Sequence, residues 1–234
     1  MSAPLPLVLL PGVLCDEATW RPVVDRLEEP HWLVPEYPAA PDIGELAEAV
    51  LAEAPPRFDL AGHSMGGYIA LEIMRRAPDR VARLALLSAS PFADGDEARA
   101  NRLALVDKVA AGGFDEIAQT MARFVIPKTA DEFERLRKDF AAVARRTGAE
   151  AFMQHQRAVA GRRDQTGLLG SIACSCLLIG AQDDKVTPIS GLDALAKGLG
   201  DAETLRLSEG GHLLTWTRPD AVAAALTTWR KRPA

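Results

Sequence analysis

The first part of the chain alternates short apolar runs with segments whose apolar residues recur at helical spacing. Runs of this length, almost free of polar residues, are typical of strands that are buried on both faces of a sheet. The predicted strands cover residues 5–12, 31–37, 57–63 and 81–90, and the predicted helices between them cover 17–29, 41–55 and 66–77. This alternation predicts a mostly parallel sheet flanked by helices, because each crossover returns the chain to the same edge of the sheet.

The pattern changes after Pro91, where no convincing strand is found up to about Gly170. Four helices are predicted there, at 95–111, 113–125, 130–146 and 148–160. Strands return at 174–181 and 203–210, and each is followed by a helix, near 188–199 and 219–231. We therefore predict one α/β core formed by residues 1–92 and 171–234, a sheet of about six strands, and an all-helical insertion over 93–170.

Composition and charge exclude several classes of protein. The formal net charge is −5, and no basic stripe is present, which argues against nucleic-acid binding. No apolar run reaches the ~18 residues that a membrane helix requires, and the N-terminal sequence lacks the basic start of a signal peptide, so we expect a cytoplasmic protein without a membrane partner. The three cysteines are interpreted as small buried residues. No metal-ligand spacing or phosphate-binding loop is present, and we predict neither metal nor cofactor.

The sequence "GHSMGG" places Ser64 between a predicted strand and a predicted helix with almost no connection. A serine on so sharp a corner is exposed at the end of the strand, and a Cβ two positions away on either side would clash with the passing backbone. Gly62 and Gly66 remove that clash. The N–H groups at the start of the following helix favour negative charge near the serine. This context predicts a nucleophilic serine.

A serine hydroxyl needs an adjacent base, and the chain contains four histidines. His31 begins a strand in the first half of the chain, the side chain of His63 is expected to diverge from that of Ser64, and His155 belongs to the helical insertion. His212 follows the last strand and therefore lies at the same sheet edge as Ser64. Elimination and position together favour His212 as the base.

The base needs a carboxylate, and the oxyanion needs donors. Asp183 and Asp184 both follow the penultimate strand, and one of them is expected to accept a hydrogen bond from His212. The backbone N–H of Met65, directly after the serine, is the first predicted oxyanion donor. The loop after the first strand is expected to supply the second through the backbone N–H of Val13.

The chain resembles the α/β-hydrolase superfamily, and the segment "FMQHQRAVAGRRDQTGLLGSIACSCLLIGAQDD" resembles small bacterial members described as hydrolases or carboxylesterases. The resemblance rests on "LLPGVLCDEATW", "LAGHSMGGYIALEIMRRAPDRV", "LLIGAQDDKVTP" and "EGGHLLTWTRPDAV", which span both halves of the sheet. It implies an α/β-hydrolase fold in which the helical insertion is a cap or lid, Ser64 is the nucleophile and His212 is the general base. In the family pattern Gly-x-x-Asp-x-x-x-Pro, Asp183 has the required spacing after Gly180. Asp184 instead has the required spacing before Pro188. Distance from the strand end favours Asp183.

The predicted function is hydrolysis of a small ester through an acyl-enzyme. The lid residues Phe124, Phe152 and Met153 are candidates for the substrate pocket, and the alternative is that they form the core of the lid itself. The same residues would also serve a thioesterase, an enol-lactonase, a C–C bond hydrolase or a perhydrolase. A binding protein that uses the fold without chemistry is the alternative from another class. The partner is expected to be a small ester-like molecule, and nothing in the sequence indicates an oligomeric state.

Overall fold

A computed structural model describes residues 4–27 and 31–233 of the chain. Within these residues the strands form one six-stranded sheet in which every pair is parallel, in the order β2-β1-β3-β4-β5-β6. The strands are β1 (Leu7–Leu10), β2 (Trp32–Leu33), β3 (Phe58–His63), β4 (Val81–Leu87), β5 (Ser175–Ala181) and β6 (Ala202–Leu207). The predicted sheet of about six strands is therefore confirmed, and it is parallel throughout.

The helices include all those predicted from the spacing of apolar residues, with small shifts at their ends, and a short one at Leu214–Thr217 that was not predicted. They are α1 (Glu17–Val24), α2 (Ile43–Glu53), α3 (Met65–Arg76), α4 (Asp96–Ala110), α5 (Phe114–Val125), α6 (Phe133–Thr147), α7 (Ala149–Ala160), α8 (Ile189–Gly198), α9 (Leu214–Thr217) and α10 (Pro219–Arg230). The first helix ends at Val24, earlier than predicted, and residues 28 and 29 of the predicted range lie outside the described residues. Asp42 caps α2 by accepting the N–H groups of Gly44 and Glu45.

Both faces of the sheet are covered, as the near-continuous apolar strands require. Successive residues of a strand point to opposite faces, so Val8 and Leu10 join the core under α2, α3 and α8, while Leu7 and Leu9 join the core under α1 and α10. Trp20 and Trp229 are fully buried on the second face. Burying each large apolar side chain stabilises the fold by roughly 1.5–3 kcal/mol.

Helices α4 to α7 lie between β4 and β5 in the sequence, and we call residues 96–160 the helical insertion. The insertion has an apolar core of its own, to which Ile117, Phe140 and Phe152 belong. Leu14 and Leu213, from loops that follow strands of the sheet, belong to the same cluster. The insertion is therefore packed directly onto the sheet edge where the strands end. Nowhere in residues 4–27 and 31–233 is a helix both long and apolar enough to cross a membrane.

Candidate active site

Ser64 occupies the single residue between β3 and α3. Its backbone has φ 55° and ψ −118°, a conformation that a residue with a side chain rarely adopts. The N–H of Ser64 donates to the carbonyl of Leu87 in β4 at 2.9 Å, and its carbonyl accepts the N–H of Gly67 at 2.9 Å. The neighbouring strand and the first turn of the helix thus hold the strained corner from both sides.

The two glycines beside Ser64 have the steric role that the sequence predicted. A Cβ on Gly62 would lie 2.3 Å from the carbonyl oxygen of Gly66, and a Cβ on Gly66 would lie 2.2 Å from the carbonyl oxygen of Leu10. Both contacts are with backbone atoms, which cannot rotate away. The corner therefore requires glycine at both positions.

His212 forms a continuous chain of hydrogen bonds with Ser64 and Asp184. Its Nε2 lies 2.9 Å from the Ser64 Oγ, and its Nδ1 lies 2.9 Å from Oδ2 and 3.1 Å from Oδ1 of Asp184. His212 and Asp184 are buried, whereas Ser64 is half-buried. The arrangement can move a proton from the hydroxyl to the ring while the carboxylate holds the opposite nitrogen protonated.

The Asp184 carboxylate is fixed by backbone groups as well as by His212. Its Oδ1 accepts the N–H groups of Val186 at 2.8 Å and Thr187 at 2.9 Å. Burial by itself raises the pKa of Asp184, but His212 and these two N–H groups together bring the pKa below its usual value. The carboxylate is thus ionised and oriented toward the ring at neutral pH.

The placement predicted for Asp183 is wrong, because Asp184 and not Asp183 contacts His212. Asp183 instead accepts the N–H of Gly211 at 2.8 Å. β5 continues its pairing further than the prediction of Asp183 assumed, because the N–H of Gln182 still donates to the Leu207 carbonyl in β6. A turn follows, closed by a hydrogen bond from the Asp184 N–H to the Ala181 carbonyl. That turn directs Asp184 to the His212 ring, while Asp183 holds the loop that carries His212, which we call the histidine loop.

His63 is a buried support for the histidine loop. Its Nε2 lies 2.9 Å from the carbonyl oxygen of His212, so Nε2 carries the proton and donates it to that carbonyl. Burial and the neighbouring His212 lower the pKa of His63 to about 3. His63 is therefore neutral, as a fixed donor requires. His155 lies elsewhere, buried with its Nε2 3.1 Å from the carbonyl oxygen of Pro38, and His31 is exposed.

The Ser64 hydroxyl opens into a cavity of about 40 Å³ between the sheet edge and the helical insertion. The core contributes Gly12, Val13, Met65 and Val186 beside Ser64 and His212, and the insertion contributes Arg102, Met121, Val125, Phe140, Gln156 and Val159. Val13 and Met65 are thus beside Ser64, where donors for an oxyanion are needed, and their role as donors stays a prediction. The loop before Val13 approaches closely, since a Cβ on Gly12 would lie 3.1 Å from the Ser64 Cβ.

The predicted pocket residues of the insertion are elsewhere. Phe152 is fully buried in the core of the insertion, where Met153 packs against the same cluster, and Phe124 is 52% exposed. Sequence reasoning missed Arg102 and Gln156, the two polar side chains that the insertion contributes to the cavity wall. Arg102 lies in an otherwise ordinary charged helix, so no signal in the sequence distinguished it. Among the described residues, no group of three or more His, Cys, Asp or Glu side chains is placed to hold a metal ion.

Comparisons with known proteins agree with the fold. The alpha/beta hydrolase family matches residues 7–225 of the chain. A protein of Agrobacterium fabrum named "Putative carbamate hydrolase RutD" is 30% identical over 242 residues, covering 94% of this chain and 90% of the relative. The pimeloyl-acyl-carrier-protein methyl ester esterase of Chromobacterium violaceum is 29% identical, covering 75% of this chain and 71% of that protein.

Solved structures share the fold at lower sequence identity. A thermophilic esterase of Thermogutta terrifontis superposes with a TM-score of 0.83 at 23% identity, covering 98% of this chain and 90% of that chain. The enol-lactonase of Burkholderia xenovorans superposes with a TM-score of 0.84 at 21% identity, covering 98% of this chain and 93% of that chain. The match along residues 7–225, the parallel sheet and the serine corner together assign the chain to the alpha/beta hydrolase family.

Proposed function

We propose that the protein is a serine hydrolase that cleaves a small ester through an acyl-enzyme. The observation that carries this proposal is the chain of hydrogen bonds from the Ser64 Oγ through both ring nitrogens of His212 to Asp184. Both links are 2.9 Å long, within the range that proton transfer requires. A family member without chemistry would not need a strained serine aligned with a carboxylate-bound histidine.

In the proposed reaction, the Ser64 Oγ attacks the ester carbonyl carbon while His212 Nε2 takes the hydroxyl proton. The tetrahedral intermediate collapses, the C–O bond to the alcohol breaks, and His212 returns the proton to the departing alcohol oxygen. A water molecule, deprotonated by His212, then attacks the acyl carbon, the bond from that carbon to the Ser64 Oγ breaks, and His212 returns the proton to the Oγ as the acid leaves. Asp184 stabilises the imidazolium in both halves of the cycle and remains ionised throughout.

The negative charge that develops on the carbonyl oxygen needs donors that are already in place. Met65 is the first residue of α3, so its N–H has no acceptor within the helix and is available to the oxyanion. We assign the second donor to the N–H of Val13, because the loop from Gly12 approaches the serine closely and Val13 lines the cavity. Neither assignment depends on the side chain of the donor residue.

The small cavity supports a small substrate and a lid role for the helical insertion. A volume of about 40 Å³ accommodates only a short acyl group unless the wall moves. That wall comes from all four helices of the insertion, which supports dividing the chain into a core (1–92 and 171–234) and a lid (93–170). Thioesters, enol-lactones, C–C bonds and peracid formation use the same serine chemistry and are the alternatives that an activity screen must cover.

Labelling with a fluorophosphonate probe tests the proposal. The folded wild-type protein should be labelled at Ser64, as located by mass spectrometry of the digested protein. Ser64→Ala should abolish labelling, whereas the matched variant Ser171→Ala, which removes a hydroxyl that donates to the Leu168 carbonyl, should not. Absence of labelling in folded wild-type protein would contradict the proposed function. Hydrolysis of esters of increasing acyl length, alongside thioesters and lactones, then identifies the reaction.

A further inference from the structure

The wall that the helical insertion contributes to the Ser64 cavity is apolar except at two positions. Met121, Val125, Phe140 and Val159 make it apolar, and Arg102 of α4 and Gln156 of α7 are the polar exceptions among the described residues. A small apolar wall would suit a plain short-chain ester. A guanidinium and an amide in the same wall require a different explanation, because polar groups facing an apolar pocket are costly unless something binds them.

The amide of Gln156 has an unused donor. The side chain is 1% exposed, and its Oε1 accepts the Nη1–H of Arg102 at 3.0 Å. Because the oxygen faces the guanidinium, the NH₂ group is the other end of the amide, and among the described residues it donates to no protein acceptor. An acceptor atom on a bound molecule would satisfy it.

The charge beside this amide is also unbalanced. Arg102 and Arg162 share one carboxylate, that of Asp94, through Nε–Oδ2 and Nη1–Oδ1 contacts of 2.5 Å and 2.7 Å. The side chains of Asp94 and Arg162 are almost fully buried, and Arg162 also lies 4.3 Å from the centre of the Tyr68 ring. Two guanidinium groups with one carboxylate leave one positive charge next to the cavity.

Two acidic side chains, Glu72 and Asp42, line the adjoining cleft together with Arg162, and both have partners of their own. Glu72 is held by Arg75 and Arg76, and Asp42 accepts the N–H groups at the start of α2. The polar corner of the Ser64 cavity is therefore a cationic donor site with room for an oxygen anion. Carboxylates are the partners that a guanidinium fork and an adjacent amide N–H fit best.

We propose that Arg102 and Gln156 bind a carboxylate on the substrate, so that the protein acts on a short ester that carries a free carboxylate. This rests on the proposed function and adds the substrate class to it. The carboxylate replaces the missing acceptor of Gln156 and balances the extra positive charge. Arg102 and Gln156 line the same small cavity as Ser64, so the carboxylate and the carbonyl carbon that Ser64 attacks would belong to one short molecule.

The test compares substrates that differ only in charge. Monomethyl succinate carries the carboxylate on the acyl side, and methyl succinamate replaces it by an amide of the same shape. Acetoxyacetate and acetoxyacetamide form the corresponding pair with the charge on the leaving alcohol. In the wild type, kcat/KM should favour the charged member of at least one pair by about tenfold or more, the scale of one charged hydrogen bond. Equal rates within both pairs would overturn the inference.

Variants show which side chains cause the preference for the charged substrate. Gln156→Glu has nearly the same shape, but its carboxylate occupies Arg102 and repels the substrate anion, so the preference should vanish or invert. Arg102→Gln is the second variant and should also lose it. Gln154→Glu, the same substitution on the exposed side of α7, should keep the wild-type ratio. Because each ratio is measured within one variant, a general loss of activity cancels.

The outcomes separate this inference from the proposed function. A protein that labels at Ser64 and hydrolyses both members of each pair equally is a serine hydrolase without the carboxylate site. A preference that survives in Gln156→Glu and Arg102→Gln places the recognition elsewhere and contradicts the assignment. A folded protein that does not label at Ser64 contradicts the proposed function and this inference with it.

Discussion

The backbone carbonyl of Val125, at the end of α5, accepts the N–H of His212 at 3.1 Å. It also accepts the N–H of the next residue, Leu213, at 3.0 Å. The position of the histidine ring is therefore set partly by the helical insertion and not only by the sheet. A movement of the insertion that admits substrate acts directly on the loop that carries the proposed base.

The contact between the insertion and the histidine loop can be tested at Gly211. Its φ is +66°, and an added Cβ would lie 2.6 Å from the Cδ of Pro127. Gly211→Ala should displace the loop and lower kcat/KM by ~10- to 100-fold, because misplacing a reacting group by about 1 Å costs that much. Steady-state hydrolysis of a short ester provides the measurement. Gly200→Ala, with open space around the added methyl, is the control and should retain wild-type activity.

The two adjacent aspartates should differ strongly in their effect on the rate. In Asp184→Asn, the amide oxygen can still accept the N–H groups of Val186 and Thr187, so the NH₂ group faces His212. The NH₂ then donates to Nδ1 of His212, and the ring carries its proton on Nε2. The ring then cannot accept the serine proton, and kcat should fall by about 10³–10⁴-fold. Asp183→Asn retains an oxygen for the Gly211 N–H and should change kcat by less than ~5-fold. Single-turnover acylation rates measure both, and the opposite ranking would restore Asp183 as the acid.

Acid should destabilise the protein through His63. The pKa of His63 is about 3 in the folded state, compared with 6.5 for a histidine in an unfolded chain. Between these pH values the unfolded chain therefore binds a proton that the folded chain excludes. Stability therefore falls as the pH is lowered from 6.5 toward 3, by up to ~1.4 kcal/mol per pH unit. In His63→Gln, whose amide can still donate to the His212 carbonyl, this contribution disappears.

Urea unfolding at pH 7.5 and pH 5 measures the effect of His63. The wild type should lose about 2 kcal/mol more than His63→Gln over this interval. Asp184 and His155, whose pKa values are also lowered, add to the acid sensitivity of both proteins and cancel in the comparison. Equal losses in the two proteins would show that His63 is not excluded from protonation in the folded state.

The serine corner should tolerate no methyl group at its glycines. Gly66→Ala places a Cβ 2.2 Å from the Leu10 carbonyl oxygen, and relief requires β1 and α3 to separate. We expect a loss of more than ~3 kcal/mol of unfolding free energy, measured by chemical denaturation. Gly167→Ala, which meets nothing within 4 Å, should stay within about 0.5 kcal/mol of the wild type. A stable Gly66→Ala protein would refute the steric account of the corner.

The serine corner and the sheet were predictable because local patterns determine them. A strand buried on both faces must be apolar, and a corner that presents Ser64 leaves no room for Cβ atoms at its flanking positions. His212 followed from the topology of the sheet, since all strands of a parallel sheet end at one edge. Each of these inferences depends on residues that are close in sequence or on a rule of connectivity.

The identity of the acid and the polar wall of the cavity were not predictable in the same way. The choice between Asp183 and Asp184 depended on whether β5 pairs with β6 for one more residue, and pairing is a property of two strands. The role of Arg102 depended on how α4 packs beside α7, which places the guanidinium next to Gln156. Helical spacing within one segment contains no information about which neighbour that segment meets.

The position of the helical insertion between two adjacent strands affects how freely its length and sequence can vary. β4 and β5 pair directly, with Leu87 opposite Ile179, although the whole insertion separates them along the chain. Closing a longer connection costs little, about 0.6 kcal/mol for each doubling of its length. The length of the insertion can therefore change at little cost in the free energy of closing the connection. A changed insertion must still cover Leu14 and Leu213 and supply an acceptor where the Val125 carbonyl now meets the N–H of His212, so these contacts limit which insertions the sheet can carry.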